Sequence, residues 1–298
     1  MRVNIAGAFS KWQSLLPYIV KNKNVFRGFD VTVYDGIDNC AWNGGRINRD
    51  ITCSDMVMDF YYRNNISIAL TFTNPVVNIS DRVGNELLEK FHKANNVIIS
   101  INTKLREYIK KNFPLYKHTH SITGFGKISV PMCDDDVVKY QKLEQHYDYI
   151  VPRCEHVFDD RFGELNATKY EVMLNDTCVY NCPYYGEHFK KIAEQNRKFD
   201  KPWLQGGQDK MKNIEECWLS NQSSYKQPSF FNPEEYDNKD REKHGDSYGM
   251  DLNMGQIKRL LHQGVDNFKI TGREICPSSY LPEMDKYISM LNTIVINK

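Results

Sequence analysis

Eight short runs rich in β-branched residues alternate with segments of helical period, and this alternation leaves the chain few folds to choose from. The runs cover residues 3–6, 29–34, 67–72, 97–101, 119–123, 149–151, 170–174 and 267–270. Between them, helical patterning covers 12–20, 55–62, 86–94, 105–113, 136–146, 188–195 and 254–262, with a closing helix over 282–291. Boundary signals agree. Asn102-Thr103 and Asp134-Asp135-Asp136 place capping side chains ahead of helices, and Gly264 supplies a left-handed residue where one ends. Because parallel crossovers are right-handed, eight such units close most simply into a (β/α)8 barrel spanning residues 1–298 as a single domain. An open doubly wound sheet is the alternative.

One stretch breaks the rhythm. Residues 205–248 are rich in Lys, Asn, Gln, Ser, Asp and Glu and poor in aliphatic side chains, so they cannot build a core of their own. The sequence places this long polar insertion, a lid or binding loop, between the seventh and eighth βα units, where it overhangs the carboxyl end of the barrel.

Charge excludes some partners. Lys and Arg number 39 against 38 acids, so no global field draws the chain to DNA or to an anionic membrane. Lys104, Arg106, Lys110 and Lys111 form a local basic patch. No apolar run approaches the roughly 20 residues of a membrane span, and the opening Met1-Arg2-Val3-Asn4-Ile5 lacks the apolar stretch of a signal peptide. The expectation is a cytoplasmic protein whose 8 cysteines are free thiols or metal ligands rather than disulfides.

In a barrel, side chains that follow the strands share one mouth. Asp35, Arg153, Glu155, Asp176 and Arg273 fall there, and Arg46 lies on the loop after the second strand. The arginines suit a carboxylate or phosphate, and the acids suit proton transfer. Cysteines collect at the same end: Cys154 after the sixth strand, Cys178 and Cys182 after the seventh, Cys276 after the eighth, with Cys40 after the second and Cys217 in the insertion. Cys178, Cys182, Cys217 and Cys154, with His188 as a nitrogen donor, are the candidate metal ligands. Thiolates converging on one mouth suit zinc or an iron–sulphur cluster.

Several of these segments carry a resemblance. Asn4-Ile5-Ala6-Gly7-Ala8-Phe9-Ser10, Val33-Tyr34-Asp35-Gly36, Trp42-Asn43-Gly44-Gly45-Arg46 and the stretch from Glu171 to Cys182 resemble the collagenase-like peptidase family. That resemblance implies a barrel with a 4Fe-4S cluster held by four cysteines. It also implies an oxygen-independent hydroxylase or modifier acting on RNA or a small aromatic substrate, with an electron donor or other partner protein. Cys178 matches the first cysteine of the family's loop after strand seven. Cys182 follows it more closely than the family pattern, which has a longer interval containing Ser-Gly.

Two other readings use the same residues. A zinc-stapled barrel acting as a binding or scaffold protein would use the cysteines to tie the insertion down. A radical S-adenosylmethionine enzyme would need a third cysteine where Pro183-Tyr184-Tyr185 stands. A serine-hydrolase elbow, a zinc-protease helix and a phosphate-cradling glycine loop are all absent from the sequence.

Overall fold

The structure is a computed structural model that describes residues 1–43, 51–176, 185–186, 189–190, 193, 229–231, 248–272 and 277–296. The first half runs β1 (Arg2–Ala6), α1 (Trp12–Lys21), α2 (Lys23–Phe26), β2 (Asp30–Asp35), α3 (Asp55–Arg63), β3 (Ser67–Phe72), α4 (Arg82–Lys90), β4 (Val97–Ser100) and α5 (Thr103–Asn112). It continues with β5 (Lys117–His120), α6 (Asp134–Glu144), β6 (Tyr149–Ile150), β7 (Glu171–Met173), β8 (Asn175–Asp176), β9 (Ser229–Phe231), β10 (Tyr248–Asp251), α7 (Met254–His262), β11 (Asn267–Ile270) and α8 (Pro277–Ile296).

Eight strands form one sheet in the order β6-β5-β4-β3-β2-β1-β11-β7, every neighbouring pair parallel. A parallel bridge from Ile150 to Tyr170 joins the two ends, so the sheet curls into a nearly closed barrel. The fold is the α/β barrel that the alternation of runs predicts. The connection from β6 to β7 is built from short 3-10 turns, Cys154–His156, Asp160–Glu164 and Ala167–Lys169.

Strand parity divides the core in two. Val3 and Ile5 point outward with Val33, Leu70 and Ile98 into the layer between strands and helices, all of them buried. Burying each such side chain contributes about 1.5–3 kcal/mol. Ala6, Tyr34, Ala69, Val97 and Ile99 form a separate small cluster in the lumen. The lumen also carries polar side chains. Asn4 donates to Asn267 at 2.7 Å, and Lys269 pairs with Glu171 at 2.5 Å while its ammonium lies 4.1 Å from the Tyr34 ring centre.

Local signals set the helix ends. Asn102 caps α5 by accepting from Leu105 N, and Asn253 and Gln256 form a reciprocal capping box on α7. Gly264, at φ +94, ends α7 as its sequence position predicts. Several boundaries differ from expectation, the closing helix α8 starting at Pro277 rather than 282 and ending at Ile296 rather than 291, and two of the differences have a visible cause. Helix α4 begins at Arg82 rather than 86, because Asp81 accepts from Gly84 N and starts the helix a turn earlier. Strand β5 is Lys117–His120 rather than 119–123, since Ser121 caps a 3-10 turn at Ile122–Gly124.

The basic patch also needs correction. Arg106 is buried and paired with Glu107, so of the four only Lys104, Lys110 and Lys111 are exposed. Among the described residues no helix is long and apolar enough to cross a membrane.

Candidate active site at the barrel mouth

Asp35, at the end of β2, is fully buried, and its carboxylate holds the turn between β1 and α1. Its Oδ2 accepts from Phe9 N at 3.1 Å, Ser10 N at 2.8 Å and Ser10 Oγ at 2.7 Å, while Oδ1 accepts from Gly36 N at 3.0 Å. Gly7, at φ +91, lets that turn bend back under the mouth. An acid predicted for proton transfer is therefore tied into the loop that frames the site.

The ends of β6 and β7 bring four of the predicted residues together. Arg153 grips Glu155 with two hydrogen bonds, Nε to Oε2 at 3.0 Å and Nη2 to Oε1 at 2.6 Å, and both side chains are buried. The other face of the guanidinium meets Tyr185, 3.8 Å from the ring centre. Between the two lies Cys154, whose Sγ donates to Asp176 Oδ2 at 3.5 Å. Burial together with the carboxylates of Asp176 and Glu155 pushes the Cys154 thiol well above its ordinary value, opposed by Arg153.

The group rests on a rigid base. Tyr140 of α6 accepts from Arg153 N at 3.1 Å and bonds His156 Nδ1 at 3.0 Å, while His156 Nε2 reaches Ser129 O at 2.8 Å. Burial lowers the His156 pKa. Beyond Asp176 a small second sheet begins. β8 pairs antiparallel with β10, and β10 pairs parallel with β9, so Ser229–Phe231 of the insertion is tied to the carboxyl end of β7. Asn175, fully buried beside Asp176, accepts from Thr271 N at 2.8 Å and donates to Glu283 of α8 at 3.2 Å. Burial raises the Glu283 carboxyl above its ordinary value.

Arg46, Arg273, Cys178, Cys182, Cys217, Cys276 and His188 lie outside the described residues. Cys40 is buried, its thiol pushed up to about 12 by burial, and packs in the main core. Among the described residues, which include only Cys154 of the predicted ligands, no three His, Cys, Asp or Glu side chains are grouped to hold an ion.

Sequence reasoning missed Tyr185, Glu283 and the Lys269–Glu171 pair. Lys269 had a signal. In Asn267-Phe268-Lys269-Ile270 the polar residues alternate with apolar ones, which is the parity of a lumen-facing charge.

No family model matches the chain, and none of the curated proteins does. Among solved structures, a U32 peptidase of the collagenase-like kind is 8% identical and covers 91% of this chain and 93% of its own, with a TM-score of 0.46. A chitinase from Bacteroides thetaiotaomicron is 11% identical over 91% of this chain and 88% of its own, with a TM-score of 0.45. Likenesses this remote leave the chemistry to the residues at the mouth.

Proposed function

We propose that this barrel is a metal-dependent enzyme of oxidoreductase type, its centre held at the corner of β6 and β7 by Cys154 together with Cys178, Cys182 and Cys217. One observation carries the reading: Cys154 meets Asp176, which stands two residues before Cys178 in the chain. A thiol from one strand end is thereby brought to the residue after which the chain runs on to two more. The donor chemistry fits a cation. Two acidic groups raise the affinity of Cys154 for its proton, and the nearby guanidinium is already gripped by Glu155. Replacing that proton by a metal relieves the same crowding of negative charge.

A donor set rich in thiolates favours an iron–sulphur cluster, 4Fe-4S if four cysteines converge. The reaction would be an oxygen-independent hydroxylation or modification of a small aromatic molecule or of RNA, with a redox partner exchanging electrons. Asp176 and Glu155 are the acids nearest the centre. Arg153, stacked on Tyr185, positions the Glu155 carboxylate beside it.

A second reading has its own support. Zinc–sulphur and zinc–oxygen bonds of about 2.3 and 2.0 Å at a tetrahedral angle set sulphur and oxygen about 3.5 Å apart. The observed Cys154–Asp176 separation is 3.5 Å. One zinc ion stapling the insertion to the barrel would use that pair, and the protein would then be a binding scaffold.

Anaerobic purification followed by iron, sulphide and zinc analysis separates the two. A brown protein with iron and acid-labile sulphide, both lost in Cys154→Ser and Cys178→Ser but retained in Cys53→Ser, is the expected result. A colourless zinc protein with the same losses selects the scaffold. Metal-free protein, or equal metal in all three variants, overturns both.

A further inference from the structure

A second concave site lies on the flank of the barrel, between α5 and α6. The cleft encloses about 470 Å³, and its polar lining includes Arg106, His120, Lys139, Lys142 and His146 with Asp135 as the acid. The chain as a whole carries a formal charge of only +1, so this concentration of cationic groups is local.

Arg106 is neutralised by Glu107, but among the described residues neither Lys139 nor Lys142 has a salt-bridge partner. Lys139 is half-buried, and its ammonium lies 5.0 Å from the Phe125 ring centre. The Asp136 carboxylate attracts it without forming an ion pair, and holding an ammonium in a partly dry site on that alone is unfavourable. Beneath the lysines sits His120, 5% exposed, whose ring is wedged edge-on between Phe125 and Tyr147. Its Nδ1 is buried with no hydrogen-bond partner. That nitrogen is out of reach of solvent, so the ring gives the cleft its shape rather than a hydrogen bond. The remaining wall is apolar, formed by Ile101, Val138 and Leu143.

Ammonium groups without a salt-bridge partner and an apolar wall within one cleft describe a ligand with a multiply charged anionic head on a compact apolar body. We propose that the α5–α6 cleft binds a small organic phosphate monoester, its phosphate met by Lys139 and Lys142 and its apolar part lying along Ile101, Val138 and Leu143. The site is separate from the metal-centre reading and stands or falls apart from it.

The test is calorimetric titration of the full chain with phenyl phosphate, with inorganic phosphate and phenol as the two half-ligands. Saturable one-to-one binding of phenyl phosphate is expected, weakened tenfold or more by Lys142→Gln and by Lys139→Gln and unchanged by Lys104→Gln. Lys142 is exposed, so its replacement leaves the fold intact, and unchanged melting temperatures check this for each variant. No saturable binding at millimolar phenyl phosphate overturns the proposal. So does an affinity that ignores both lysine substitutions, and so does inorganic phosphate binding as tightly as the ester.

Discussion

The two histidines of β5 set an acid limit on the fold that is measurable. His118 and His120 both face the outer core, and burial lowers their pKa values to about 4 and about 3 respectively. Neither nitrogen of His118 has a hydrogen-bond partner, nor has Nδ1 of His120. A histidine whose folded pKa is depressed contributes full stability above its unfolded pKa of about 6.5, and loses it as pH falls from there toward the folded value. At pH 5 the folded rings are still neutral while the unfolded ones are protonated. The unfolded state therefore gains about 2 kcal/mol per ring relative to pH 7.5, or about 4 kcal/mol for the pair. His118→Leu/His120→Phe removes both titrations. Phenylalanine fits position 120 because that ring already packs between Phe125 and Tyr147 at centroid distances of 5.1 Å. Urea unfolding of both proteins at pH 7.5 and pH 5 isolates the effect, since the carboxylates titrate alike in each. The double variant should lose roughly 4 kcal/mol less on acidification. Equal acid losses in the two proteins would refute the assignment of neutral, unpartnered rings.

Further outcomes follow from single contacts. Glu155→Ala removes the carboxylate bonded twice by the buried Arg153 guanidinium and should cost about 3–5 kcal/mol in denaturant unfolding, whereas Arg153→Met/Glu155→Leu should recover most of that loss. Gly84→Ala would put a Cβ 2.4 Å from the ring of Trp42, which is fully buried, so a loss of about 1–3 kcal/mol is expected in thermal melts. Asn253→Ala removes one half of the α7 capping box and should lower stability by about 1 kcal/mol, with hydrogen exchange accelerated chiefly in the first turn of that helix.

The strands were legible because an apolar, β-branched run of four to six residues bounded by turn residues has few other uses. β3 and α7 match their sequence positions residue for residue. β5 was less legible because its core-facing positions are filled by histidines, which carry no hydrophobic signal although the rings are buried as fully as leucines. At the mouth, sequence position singled out Arg153, Cys154, Glu155 and Asp176 as residues that follow strands. Their pairing was not visible, because Arg153–Glu155 and Cys154–Asp176 depend on where β6 ends relative to β7. Tyr185 had no signal at all, since its ring acts by lying against a guanidinium distant in the chain.

What the sequence determined by itself is periodic and local: the order of strands and helices, their caps, and the residues delivered to the carboxyl ends. Only the tertiary structure decided which of those residues meet. Barrel closure through Ile150 and Tyr170 brings the β6 end alongside β7 and makes Cys154 a thiol crowded by acids, while the packing of β2 against β1 turns Asp35 into a clamp on the β1–α1 loop. The physical reason is that periodicity is set by backbone geometry within a few residues, while the environment of a charge is set by everything that packs around it.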